Sequence, residues 1–541
     1  MTNQTGEMTS PADEKALELM RLLETHCGIY DLTIDGVPIW WFIRGRFHGW
    51  AAAYLDEAHV SREPSNDRLS GLCARISSSL ALGHAFLLRC LVGMIRTLKI
   101  KSEHTKTKPI LFFTSSNCFR GPKNGRAFDI YMDVIYNTIT DNRIMVEMGT
   151  LTGWDVNSLW HSKHAVFFDW FVLFSIFISL PKLRTAHQIE GWRVFEENCR
   201  SIDFAGISRE QVLTGLKLLI KRSGYKVLVQ VKATEMMINT FKPSLVVEID
   251  YSSTQRALNL VAKSRGVPIV ELQHGSIDKA HYGYAYFIPA DYTGPRPLPN
   301  KLFVWGEVFK QSILEMGNAF MPDDIVVTGY PRLSEYLEII AHGGNHSIQQ
   351  KVRTLLDVNQ DSILITITSA SEVGSYLCDF LAEVLKKLPE NRFVFCVKLH
   401  PRELDNWESN YSAIDADPQI RVLSDNDVDL YDLLVTSDVH ATVGSTVFLE
   451  CCALGIPNIF IYHPMYINAG LGLVEQGEIT VVKTPDSFAD EIKKLTEDSI
   501  YREKAIAQGK SIGVRFFDTE ERAKDVIIAE LTRCIRQSVM S

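Results

Sequence analysis

The sequence predicts an α/β fold class with two parallel-sheet domains, each sheet covered by helices on both faces. Three observations carry this. The chain has 541 residues, too many for one hydrophobic core, so two domains are the natural division. Short β-branched runs alternate with helix-length segments, the pattern of parallel strands joined by crossover helices. Several runs end in Gly, Ser, Thr, His, Lys or Arg, at the carboxyl strand ends where open parallel sheets bind ligands.

The elements follow in order. Residues 1–24 are polar and acidic and lack an apolar signal-peptide core. Residues 28–47 carry an extended pattern, with Asp35-Gly36 as a hairpin turn between Leu32-Thr33-Ile34 and Val37-Pro38-Ile39-Trp40. Residues 50–105 read as mainly helical. Strands are expected at 109–115, 143–148, 245–250, 268–273, 301–305 and 325–328. The segment 151–240 is mostly helical and aromatic and is taken as a helical insertion covering the first sheet. The breaker cluster Ala341-His342-Gly343-Gly344-Asn345-His346 opens a predicted linker over 341–361, which leaves residues 1–340 and 362–541 as the two domains. In the second, strands at 363–368, 393–398, 439–443 and 458–461 alternate with helices at 376–388, 430–436 and 447–454.

Composition narrows the function classes. A formal net charge of −9 argues against a nucleic-acid partner. Ten scattered cysteines without a CxxC pair suit a reducing, cytoplasmic setting. Residues 165–180 are apolar but broken by Asp169 and ended by Pro181, short of the about 20 residues a spanning helix needs. Residues 84–101 interleave apolar residues with Arg89, Arg96, Lys99 and Lys101. The two segments read as core helices, with peripheral docking on the anionic inner leaflet of a membrane as the alternative.

The candidate site residues sit at strand ends. In Ala441-Thr442-Val443-Gly444-Ser445-Thr446 a strand meets a glycine, two hydroxyls and an apolar helix. The glycine permits close approach, and the helix start attracts an anion. Capping alone would also explain Ser445 and Thr446; Glu450, one turn past Thr446, adds a carboxylate that could accept hydrogen bonds from ribose hydroxyls. Lys398-Leu399-His400-Pro401 ends another strand, with Arg402 beside it, and suits a phosphate. Gln273-His274-Gly275 repeats the pattern in the first domain. His274 is a candidate base and Asp278 a second candidate catalytic residue, while Gln273, His281 and Tyr284 are candidates for the acceptor side. Asp250 ends a strand before Ser252-Ser253-Thr254 and is either a helix cap or part of the acceptor side. Gly329-Tyr330-Pro331-Arg332 adds a further cation at a strand end. The acidic run Asp425-Asn426-Asp427-Val428-Asp429 lacks the Gly and terminal Glu of a calcium loop and precedes a helix, where acidic caps belong, so no metal site is assigned. No HExxH or Walker loop occurs.

In this order and spacing, Gln273-His274-Gly275, Thr328-Gly329-Tyr330-Pro331-Arg332, Lys398-Leu399-His400-Pro401 and Gly444-Ser445-Thr446 with Glu450 resemble the GT-B glycosyltransferase superfamily. The resemblance covers about residues 245–480 and is nearest to capsule and surface-polysaccharide transferases related to CDP-glycerol glycerophosphotransferases. It implies two Rossmann-like domains facing a cleft. It implies that His274 is the base, that His400 contacts the donor phosphate and that Ser445 and Thr446 bind phosphate. The glycerophosphotransferases carry Asp-Tyr-Ser-Ser where this chain has Thr442-Val443-Gly444-Ser445-Thr446, which is closer to sugar-nucleotide enzymes.

The expected reaction is an inverting, metal-independent sugar transfer with no cofactor. A nucleotide-sugar donor lies on the second domain, Arg332 completes its phosphate site on closure, and His274 deprotonates a hydroxyl of a surface-polysaccharide or lipid-linked glycan acceptor. The alternatives are a CDP-polyol phosphotransferase, a non-hydrolysing sugar-nucleotide epimerase and a catalytically silent scaffold.

Overall fold

The computed structural model describes residues 11–540 apart from 56–69, 104–107, 116–117, 124–125, 141, 150–164, 184–185, 187, 205, 278–280, 371–372, 390–391, 401–402, 405–406, 424–427, 465–471 and 475. The chain forms two compact units. The first comprises Met1–Val304, Lys310–Val326 and Lys524–Ser541; the second comprises Trp305–Phe309 and Val327–Ala523.

In the first unit, β1 (Thr33–Ile34) and β2 (Val37–Pro38) form the expected hairpin. Asp35 and Gly36 carry its turn with φ of 51° and 74°, the conformation an Asp-Gly pair adopts most readily. The extended reading fails just beyond it, because Trp40–Leu55 is a helix. Its buried residues include Trp40, Ile43, Arg44, Phe47, His48 and Ala51, at helical spacing, so burial of that face decides the structure.

The remaining strands of this unit are β3 (Ile110–Ser115), β4 (Phe119–Lys123), β5 (Arg126–Asp129), β6 (Arg143–Met148), β7 (Val166–Phe167), β8 (Leu245–Ile249), β9 (Ile269–Leu272), β10 (Lys301–Val304) and β11 (Ile325–Val327). β4 and β5 pair as a separate hairpin, and the other seven form one sheet in the order β11-β10-β9-β8-β3-β6-β7. Alternation along the strands divides the core. Leu111, Phe113, Ile144 and Val146 meet Ala233, Met237 and Phe241 of the helix Arg209–Phe241 on one face. Phe112, Met145, Leu245 and Val247 meet Ile527 and Leu531 of the helix Ala523–Met540 on the other. The segment 151–240 thus covers the first sheet where it is described, and it also supplies the edge strand β7.

The second unit holds β12 (Ile363–Thr368), β13 (Phe393–Lys398), β14 (Ile420–Leu423), β15 (Val439–Thr442), β16 (Asn458–Ile461) and β17 (Val481–Val482). Their order is β14-β13-β12-β15-β16-β17, and every described pairing is parallel. Chain order reverses direction between β12 and β15, which marks a topological switch point at their carboxyl ends. The expected linker lies inside this unit. Helices Pro331–Ala341 and Asn345–Leu355 flank a tight turn in which Gly343 has φ of 71°. The breaker cluster therefore ends one helix and starts the next, and the units divide at Val326/Val327 instead.

Candidate functional site

The second unit gathers most of the motif residues around its switch point. Register places the last residues of three strands side by side, with Thr368 of β12 opposite both Lys398 of β13 and Thr442 of β15. Thr442 is buried, and its hydroxyl accepts from the backbone N–H groups of Gly444 (3.3 Å) and Ser445 (2.9 Å). This internal cap shapes the turn. Ser445 Oγ accepts from Val447 N at 3.3 Å, whereas Thr446, at the start of the helix Val447–Leu454, makes no side-chain capping bond. Only half of the expected Ser-Thr capping is therefore formed.

His400 is half-buried at the end of β13. Its backbone N–H donates to Ser369 Oγ at 2.7 Å and to Glu403 Oε2 at 3.2 Å. Glu403 is buried and also accepts from the Ser369 and Tyr411 hydroxyls. This carboxylate fixes the His400 backbone, and Ser369 links it to the end of β12. The Lys398 amine donates to the Val428 carbonyl at 3.3 Å. Arg402 and Asp278 lie outside the described residues.

Arg332 belongs to this unit and is buried. Its guanidinium pairs with Asp429 and lies 4.7 Å from the Tyr431 ring centre. Tyr336 packs on Tyr431 (4.9 Å) and donates to Asp432 at 2.6 Å. The Tyr431 hydroxyl donates to Glu450 Oε2. Arg332 therefore supports Tyr431 and Glu450 from behind rather than presenting an open cation to a phosphate. Burial pushes the Glu450 carboxyl up to about 7, against the opposing pull of the Tyr431 hydroxyl and of Arg332. Asp429 is the helix cap that its place before Leu430 predicts, accepting from Tyr431 N and Asp432 N. Among the described residues, no group of His, Cys, Asp and Glu is arranged to hold a metal ion.

The first unit holds the histidine cluster at the ends of β8 and β9. His274 Nε2 lies 4.0 Å from Asp250 Oδ1. Its Nδ1 is buried and has no hydrogen-bond partner among the described residues. Burial pulls the imidazole below its usual value, with the Asp250 charge opposing, so the ring is neutral near pH 7. Asp250 does not cap the following helix, which starts after Ser252. It has φ of 85° and accepts from the Tyr251 backbone N–H at 2.6 Å, an arrangement that aims the carboxylate at His274. The rings of Tyr251 and Tyr131 lie 5.6 and 6.4 Å from the imidazole.

Three other acceptor-side candidates turn inward. Gln273 is buried and donates to the Gly275 carbonyl at 2.7 Å, bracing the His274 turn. Burial holds His281 down to about 3, and its Nδ1 accepts from Gly283 N at 3.2 Å, so it is a neutral packing residue. Tyr284 is buried and donates to Glu271 Oε1 at 2.7 Å. The sequence reading missed Ser369, Glu403 and Tyr431. Ser369 follows the end of β12 and carried the same strand-end signal; Glu403 and Tyr431 had no local one.

No protein-family model matches the chain, and no curated protein is significantly similar to it. Solved structures do share its fold. The wall teichoic acid polymerase TagF aligns at 14% identity over 86% of this chain and 98% of its own, with a TM-score of 0.50. The UDP-GlcNAc 2-epimerase from Neisseria meningitidis bound to UDP-GlcNAc aligns at 15% identity over 79% of this chain and 100% of its own, with a TM-score of 0.47. The likeness to TagF shows the fold: two parallel-sheet α/β domains of the GT-B type.

Proposed function

We propose that this protein is a nucleotide-sugar-dependent glycosyltransferase, metal-independent and inverting, that builds a surface polysaccharide or lipid-linked glycan. The observation that carries the reading is the convergence at the switch point of the second sheet. Lys398 and His400 lie at the end of β13, and the Gly444-Ser445-Thr446 helix start, with Glu450 one turn into its helix, follows β15; the two strands flank β12.

The chemistry is assigned unit by unit. In the second unit, His400 and the helix-start N–H groups stabilise the charge that develops on the departing phosphate. Glu450, as a carboxylate, accepts hydrogen bonds from the donor's ribose hydroxyls. In the first unit, His274 takes the proton of the acceptor hydroxyl, and Asp250, 4.0 Å from its Nε2, supports the imidazolium formed. The acceptor oxygen bonds to the anomeric carbon as the bond to phosphate breaks, and the electron pair leaves with the nucleotide. The nine cysteines whose side chains are described are all buried.

Calorimetric titration with CMP, CDP, UDP and GDP, followed by their sugar conjugates, tests this. One nucleotide is expected to bind selectively. His400→Ala should weaken it about tenfold, because the imidazole's charge-assisted hydrogen bond to phosphate disappears. His274→Ala should keep donor affinity and lower transfer by about 10²–10⁴-fold. Binding of none of them would end the reading. Isomerisation of a sugar nucleotide with no acceptor present would assign an epimerase instead, and undiminished transfer by His274→Ala would remove the base.

A further inference from the structure

The first unit carries a large apolar surface that its own packing leaves uncovered. Ten of the seventeen exposed large hydrophobic residues described come from two short stretches, 87–98 and 174–180. On the helix Ser70–Glu103 they include Leu87, Leu91, Met94, Ile95 and Leu98, at helical spacing on one stripe, with Leu98 63% exposed. On the helix Asp169–Ser179 they are Phe174, Phe177 and Ile178, with Phe177 61% exposed. Other side chains join the two helices. Arg89 pairs with Asp169 at 3.2 Å, and Trp170 Nε1 donates to Thr97 Oγ1 at 2.9 Å. These contacts lock the helices side by side, so the two stripes form one face. A cluster of this kind marks an interaction surface on an otherwise ordinary monomer.

Charge identifies what it meets. The chain as a whole is acidic, yet between residues 86 and 102, and between 170 and 189, there is no Asp or Glu. Lys99 and Lys101 are exposed at the end of the first stripe. Tyr225, whose hydroxyl donates to the Ile176 carbonyl, brings the exposed Lys221 and Arg222 beside the second. Apolar side chains ringed by cations fit the boundary between acyl chains and anionic headgroups. They fit a second copy of the chain poorly, since a two-fold contact would set the same cations against one another. No helix among the described residues is long and apolar enough to cross a membrane, so contact is at the surface.

We infer that this face docks the protein on an anionic lipid bilayer. The inference is independent of the reaction assigned above. The test is co-sedimentation of the full chain with phosphatidylcholine vesicles, with and without phosphatidylglycerol, alongside light scattering. Binding is expected only with phosphatidylglycerol, by a protein that is monomeric in solution. Leu91→Glu, Ile95→Glu and Phe177→Glu together change exposed positions and should reduce binding about tenfold or more at an unchanged thermal midpoint. Lys99→Glu with Lys101→Glu should weaken binding and its salt dependence. Failure to bind anionic vesicles, equal binding by the triple variant, or a solution dimer that the triple variant dissociates would each overturn the proposal.

Discussion

Replacing Tyr431 with Phe removes one hydroxyl and tests whether Glu450 binds the donor as a carboxylate. Burial holds the Glu450 carboxyl near 7, and the hydrogen bond from Tyr431 is the largest influence keeping it from rising further. A hydrogen bond to a charged group contributes about 1.5–3 kcal/mol, which is about one to two pKa units. The variant should therefore titrate at about 8–9, other packing being kept because Tyr336 still lies against the ring. If the ionised form binds the ribose, donor affinity rises with pH through the folded value and falls about tenfold for each pH unit below it. At about pH 7.5 the variant should bind about 3- to 25-fold more weakly than the native protein, and the two should converge at higher pH. Calorimetry across about pH 6 to 9 reads this directly, with Glu450→Gln as a pH-independent reference. A native affinity that is flat across that range, or an identical midpoint in Tyr431→Phe, would refute the reasoning.

Two further outcomes follow from the first unit. Asp250 raises the pKa of His274 and burial lowers it, so the acid limb of kcat/KM should lie below the usual histidine value. Asp250→Asn tolerates the positive φ and removes the charge; it should move that limb to still lower pH and reduce the plateau about tenfold or more, and an unmoved limb would count against the pairing. Glu24 is buried, accepts from Arg44, Trp40 and the Phe287 backbone, and balances a buried guanidinium. Glu24→Ala strands that charge and should lower stability by about 3–5 kcal/mol, seen as an earlier first transition in urea; a loss below about 1 kcal/mol would mean that the pair is solvated.

The strands that position the site were legible because their β-branched runs are short, buried on both faces and bounded by turn residues. The runs at β12, β13, β15 and β16 begin where the sequence pattern begins. The histidines were legible for the same reason, as polar residues placed where a strand stops. What was not legible is what lies far away in sequence. Arg332 reads locally as an anion-seeking cation, and only the fold brings Asp429, 97 residues later, against it. Glu403 and Tyr411 look like ordinary helix-region residues until the Ser369 turn closes on them. Trp40–Leu55 defeated the extended reading because a helix start directly follows a two-residue strand, and the apolar run spans both.

The final helix, Ala523–Met540, packs Ile527 and Leu531 against Phe112, Leu245 and Phe303 of the first sheet. Most of the second unit is therefore an insertion within the first, and synthesis meets the pieces in an awkward sequence. Domains generally fold as they emerge from the ribosome, amino-terminal first. Here the sheet assembled from β3 to β11 waits, with one hydrophobic face open, until residues made after the whole second unit arrive. The nascent chain therefore carries a sticky surface while the whole stretch Val327–Ala523 is made, which makes it a natural client for chaperones. Ending the gene before residue 523 would leave that surface permanently bare, so truncated forms should accumulate as aggregates even though every strand of both sheets is present.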